Sequence, residues 1–496
     1  MSIIWLIFIP LLGGLLCWQS ERVSRAAPRW IALISMLLMG ALGVHFLAHG
    51  DYTLVPSADG MVAWQFEYRA PWIPSLGISF HLGLDGLSLA MILLTAGLGL
   101  AAVLCSWREI QRNVGFFYLN LLWNLAGVAG VFLALDLFVF FFFWEVMLVP
   151  MYFLIALWGH NTPGGKGRIH AANKFFIFTQ ASGLLLLIAI IGLVIVSYQQ
   201  TGTLSFDYDD LRKTVMSPPV EMALMLGFFI AFAVKMPIVP FHSWLPDAHA
   251  QAPTAGSVDL AGVLLKTAAF GLLRYVLPLF PNASQEFAPV AMSLGVLGIF
   301  YGAVLACAQH DIKRLVAYTS ISHMGFVVLG IYSANMLSLQ GVVIQMLAHG
   351  LSAGALFILC GEIYERLHTR DLRMMGGLWS RITWLPGLFM FFVAASLGLP
   401  GLGNFVGEFL ILLGTFKSSP VLATLAAAAL ILAAVYSLLM MQRSFYGATQ
   451  TETKLEGLTV REVVMVLLLV GFLLWLGIYP QPVLDLTQAS MLPLVR

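Results

Sequence analysis

Six titratable side chains stand deep inside otherwise apolar stretches of this sequence: Glu145, Lys235, Lys266, His323, His349 and Glu408. A charged side chain at a bilayer centre costs about 2.5–3.5 kcal/mol on insertion scales, so each is a functional candidate by default. Burial disfavours the charged form of both amines and carboxylates, while an opposite charge nearby restores it. A lysine beside a glutamate is therefore poised to give up or take a proton when its partner moves. Histidine titrates near neutrality and passes protons through either ring nitrogen. Such a row of Glu, Lys and His is a proton path rather than a hydrolytic site.

The elements that hold these groups must be membrane helices. The chain has 496 residues, 60% hydrophobic and only 10% charged, against about 25% charged in soluble proteins. That deficit excludes a soluble enzyme, a nucleic-acid binder and a disordered scaffold. The net charge of +1 gives no electrostatic reason for an acidic partner. A span needs about 20 apolar residues. The sequence accordingly predicts an all-α, polytopic membrane protein with about fourteen spans, at roughly 3–17, 30–48, 85–106, 115–134, 137–158, 172–197, 221–245, 257–279, 288–307, 312–333, 337–361, 384–416, 420–442 and 461–479. No basic residue precedes the first apolar run, so it reads as an uncleaved span rather than a signal peptide.

Lys and Arg set the orientation, because inner loops carry their excess. Clusters at Arg22, Arg25 and Arg29, at Lys166, Arg168 and Lys174, and at Arg366, Arg370, Arg373 and Arg381 fall in alternate loops, as do Lys313, Arg314, Arg443, Lys454 and Arg461. The intervening loops hold few: Arg69, Arg212, Lys213, Lys417 and Arg496. Both termini then face outward. Lys235, Lys266 and Arg274 fall within spans, Arg274 as an anchor or counter-charge.

Spans seven and twelve are interrupted, by Pro237 and Pro240 and by the run Gly398 to Asn404. Broken helices in corresponding halves of a transporter point to an ion site, since freed backbone groups line a hydrated cavity. Alternation near 64–68 and 78–81 predicts a hairpin in the outer loop 49–84, and the inner loop 362–383 could hold a short surface helix. The run Gly164-Gly165-Lys166-Gly167 lacks P-loop spacing. His242, Asp247 and His249 sit in an inner loop and imitate a metal site. Cys17, Cys105, Cys307 and Cys360 form no C-x-x-C motif, so no metal or cofactor site is expected in this chain. A haem held by His323 and His349 is the remaining electron-carrier alternative.

Four stretches carry a resemblance to a known family: Phe140 to Leu154, Phe232 to Arg274, Asp311 to Phe326, and Leu397 to Phe409. Through them the chain resembles the antiporter-like subunits of respiratory complex I. The resemblance implies two inverted five-helix repeats, spans 4–8 (115–280) and 9–13 (281–445), between an N-terminal unit 1–114 and a last span within 446–496. It implies an input pair Glu145–Lys235, a central Lys266, connecting His323 and His349, and a terminal Glu408. Sister subunits have lysine at that terminal place, and one has a long lateral C-terminal helix; here Glu408 is present and the chain ends soon after its last span. The implied function is proton translocation coupled to quinone reduction elsewhere, in a bacterial inner membrane, beside sister membrane-arm subunits. FMN, iron–sulfur clusters and quinone would belong to other subunits. Multi-subunit sodium/proton antiporters share the same motifs and are the alternative.

Overall fold

The structure is a computed structural model that describes residues 2–53, 64–161, 167–448 and 455–495. Among the described residues, twelve helices are long and apolar enough to cross a membrane: Ala27–His49, Gly86–Glu109, Val114–Leu133, Leu137–Trp158, Arg168–Thr201, Pro218–Lys235, Thr254–Leu279, Pro281–Cys307, Ile312–Ser333, Met336–Leu367, Pro420–Phe445 and Val460–Ile478. The other two expected spans fall on shorter helices. The first is Trp5–Ser20, and the twelfth is split into Leu385–Leu397 and Gly403–Ser418.

Helices satisfy their own backbone groups, which is what a bilayer demands. Thr254–Leu279 and Met336–Leu367 are buried along their whole apolar windows, whereas Pro420–Phe445 and Val460–Ile478 are about one-third buried (33%). The core therefore lies along those two helices with Val114–Leu133 and Ile312–Ser333, and the sparsely buried helices form the apolar rim. Polar side chains collect in this core because the rim would leave them in hydrocarbon.

The breaks come where Pro and Gly put them. Span seven ends as a helix at Lys235 and resumes at Trp244–Gln251; Trp244 Nε1 donates to the freed Val234 carbonyl at 2.8 Å. Span twelve ends at Gly398, which takes the left-handed conformation (φ +83°) that favours glycine, and restarts at Gly403. Span five is interrupted at Met147, one residue before Leu148–Trp158 and two after Glu145. Span eight holds two π-helical turns, Leu260–Leu264 and Leu272–Val276, which its smooth apolar pattern did not announce.

One hydrogen-bond motif occurs twice. Asp136 caps span five, accepting from the amides of Phe138 and Val139, and pairs antiparallel with Asp207 through Leu137 N–H to Phe206 O (2.8 Å) and Tyr208 N–H to Leu135 O (2.8 Å). Asp311 caps span ten in the same way and pairs with Asp371 through Ile312 N–H to Arg370 O (3.0 Å) and Leu372 N–H to His310 O (2.7 Å). Three crossings separate Asp207 from Asp311, so the two copies sit on opposite faces.

The expected hairpin forms, Phe66–Ile73 pairing antiparallel with Ile78–Leu84. Three expectations are corrected. The inner loop 362–383 holds the end of Met336–Leu367 and two single 3₁₀ turns, Leu372–Met374 and Leu378–Ser380, because Asp371 and Gly377 open turns rather than a helix. Asp247 and His249 lie on a short buried helix, Trp244–Gln251, with buried His242 in the turn before it, rather than in a loop. A further helix, Gln481–Met491, follows the last span and packs on Gly86–Glu109 and Met336–Leu367. Gly164, Gly165, Lys166, Lys454 and Arg496 lie outside the described residues.

Candidate functional site

Four of the six expected groups form one continuous row. Lys266 Nζ lies within hydrogen-bond distance of His349 Nδ1, at 2.7 Å. His349 Nε2 has no hydrogen-bond partner among the described residues. The His349 and His323 rings lie 5.3 Å apart, centre to centre. His323 Nδ1 lies 2.9 Å from Glu408 Oε1 and its Nε2 lies 3.0 Å from Ser396 Oγ. Gln345 Nε2 donates to the same Glu408 oxygen at 3.2 Å. Lys266, His349, His323 and Glu408 are 0–4% exposed.

The local structure explains these positions. Lys266 follows the first π-helical turn, and its ammonium also donates to the Ala261 carbonyl inside that turn. Glu408 stands on the second half of broken span twelve, with Oε2 against the break: a side chain on Gly398 would begin 2.9 Å from it. Asn404, one turn earlier, donates to Ser352 Oγ at 3.2 Å and ties this half-helix to Met336–Leu367.

Glu145 and Lys235 form a looser pair. Lys235 is the last residue of its half-helix, where the helix dipole favours a cation. Its Nζ lies 5.0 Å from the centre of the Trp144 ring. It acts electrostatically on Glu145, yet among the described residues it closes no ion pair within 4.0 Å. Glu145 alone of the six is only half-buried, and its Oε1 fills the space beside Gly183 on the neighbouring helix.

Other charges are spoken for. Arg274 pairs with Asp85 at 2.5 Å beneath Trp64 and Phe270, the counter-charge role expected of it. Asp247 binds Lys174 and Arg314 at 2.7 and 2.6 Å, and His249 stacks on Phe357 at 4.3 Å. Among the described residues no group of three His, Cys, Asp or Glu is placed to hold a metal. Both nitrogens of His323 are engaged, which leaves none for a haem iron.

The sequence reading missed Asp259, Asn124, Gln345 and Ser396. Asp259 could have been found, being a carboxylate seven residues before Lys266 in an apolar span. Uncharged Gln345, Asn124 and Ser396 gave no such signal.

Buried groups of this kind, in hydrogen-bond or ring contact, can pass protons between them. A family model described as NADH:quinone oxidoreductase/Mrp antiporter, TM, matches residues 134–442, from the Asp136 cap to the end of span thirteen. NADH-quinone oxidoreductase subunit M of Pseudomonas aeruginosa is 64% identical over 488 residues, covering 98% of this chain and 96% of the relative. Subunit M of Escherichia coli is 62% identical over 490 residues, with the same coverage of 98% and 96%. A chain of respiratory complex I from Thermus thermophilus with bound NADH superposes with TM-score 0.86 at 30% identity, over 100% of both chains. A chain of the Mrp complex from Dietzia sp. shares the fold alone, with TM-score 0.84 at 21% identity over 99% of this chain and 97% of that one. The chain thus belongs to the NADH:quinone oxidoreductase/Mrp antiporter transmembrane family.

Proposed function

We propose that this chain is the subunit M of a bacterial NADH:quinone oxidoreductase, carries protons through its membrane arm and performs no redox step itself. The observation that supports this reading is the row Lys266–His349–His323–Glu408: two hydrogen-bonded pairs whose histidine rings lie 5.3 Å apart, closed at both ends by titratable groups. A proton leaving the Lys266 ammonium for His349 Nδ1 makes an imidazolium, which releases its Nε2 proton toward His323. A proton arriving on His323 leaves through Nδ1 to the Glu408 carboxylate. A charge change near half-exposed Glu145 alters its hold on Lys235 and so sets the row in motion.

Neighbours in this reading are other membrane-arm subunits, and FMN, iron–sulfur clusters and quinone belong elsewhere in the complex. The chain lies in the inner membrane with both termini on the periplasmic side. Its halves 115–280 and 281–445 are inverted repeats, a division supported by the duplicated Asp136–Asp207 and Asp311–Asp371 motif. The near-full-length identity to quinone oxidoreductase subunits favours this assembly over a sodium/proton antiporter.

The test is the complex carrying this chain, reconstituted in liposomes, with Lys266→Ala or His349→Leu. Protons moved per NADH oxidised should collapse while the complex still assembles. Wild-type pumping in both variants would sink the reading. Purification without flavin and iron–sulfur subunits would favour the antiporter instead.

A further inference from the structure

Asp259 is the buried carboxylate that the relay described above leaves unused. It is 1% exposed, on the helix that carries Lys266, immediately before the π-helical turn Leu260–Leu264. One oxygen accepts from the Asn124 amide, which fixes the side chain against Val114–Leu133; the other has no hydrogen-bond partner. A buried carboxylate with a vacant oxygen is costly unless a cation or a proton serves it. The charge acting on it is Lys235. Lys235 in turn feels two carboxylates, Glu145 and Asp259, and closes an ion pair with neither. Its Nζ rests over the Trp144 ring, 5.0 Å from the centroid, held by the ring face rather than by a hydrogen bond.

Glu145 lies at the half-exposed rim, whereas Asp259 lies on the fully buried helix about 10 Å before Lys266 along its axis (seven residues at 1.5 Å). We propose that Asp259 is a second counter-charge for Lys235, so that the ammonium alternates between Glu145 at the rim and Asp259 in the core. The inward position brings the charged amine toward Lys266; the outward position restores the Glu145 pair. Asn124 holds the inner carboxylate still so that only the lysine moves. Asp259 is thus a positioning residue acting through Lys235, and this role rests on the proton-path reading above.

The experiment compares Asp259→Asn, Asp259→Glu, Lys235→Ala and Lys266→Ala in the reconstituted complex, reading assembly, NADH:quinone turnover and protons per electron across pH. Asp259→Asn should assemble, lower protons per electron below the wild-type value and shift the pH profile of pumping. Asp259→Glu should restore most of both. If both lysine variants pump as wild type, the proton-path reading itself fails. If they are impaired while Asp259→Asn keeps wild-type stoichiometry and pH profile, only the Asp259 assignment is overturned. If neither Asp259 variant assembles, the side chain is a structural tie to Asn124 and the assignment is equally overturned.

Discussion

A Cβ built on Gly183 would stand 1.9 Å from Oε1 of Glu145. The glycine on span six is what gives the Glu145 carboxylate its seat. Gly183→Ala should force the carboxylate away from Lys235 or push two helices apart. Pumping by the reconstituted complex should fall toward the level of Glu145→Ala. Unchanged pumping in the alanine variant would show that the seat is not needed.

Gly398 plays the matching part for Glu408, with an added backbone constraint. Its φ of +83° would cost a non-glycine residue about 1–2 kcal/mol, and a side chain there would begin 2.9 Å from Glu408 Oε2. Gly398→Ala should reduce both thermal stability and pumping. Gly401, also at positive φ (+93°) but with open space around it, isolates the backbone cost. Gly401→Ala should lower stability and leave pumping per electron near wild type. Equal pumping defects in the two variants would contradict this assignment.

The Arg274–Asp85 pair is buried on both sides, at 2.5 Å. Removing one partner of such a pair strands the other charge and costs about 3–5 kcal/mol. Asp85→Ala should therefore lower the melting temperature of the purified complex more than the double variant Asp85→Leu/Arg274→Met. A double variant no more stable than the single one would count against a stranded charge.

The outer hairpin contains a pH-sensitive clasp. His81 sits between Asp207 and Glu67, 2.7 Å from each. Burial opposes its charge, but the two carboxylates outweigh burial and raise its pKa above the ordinary value. Burial likewise opposes the Asp207 charge, and His81 with Arg69 holds its pKa below the usual range. A raised histidine pKa gives stability that is complete below its unfolded value, about 6.5, and is lost as pH rises through the folded value. The lowered Asp207 contributes above about 3.9 and fails in acid. Amide exchange in 66–84, corrected for intrinsic rate, should accelerate as pH rises through and above neutrality, and His81→Gln should abolish that step. An unaltered step in the variant would assign it to another group.

Most of the architecture was legible because helix length and apolarity are written locally. Lys235, Pro237 and Pro240 announced one break, and Gly398 to Asn404 announced the other. Five of the six titratable candidates proved buried, because an ion in an apolar span has nowhere to go but inward. What could not be read depends on three-dimensional neighbours. The π-helical turns beside Lys266 leave no compositional mark. Gln345 becomes part of the site only when Met336–Leu367 packs against Gly403–Ser418. The terminal helix Gln481–Met491 was passed over because it is too polar to count as a span, and the His249 segment because its polarity resembled that of a loop.

In the proposed proton path Glu145 stands at one end and Glu408 at the other, and both are carboxylates. The asymmetry lies in access: one terminal is half-exposed at the rim, and the other is sealed behind Gly398, His323 and Gln345. In the proposed path, direction and driving force are applied at the accessible Glu145 terminal by whatever lies against it, which makes this chain a line to be driven rather than a generator.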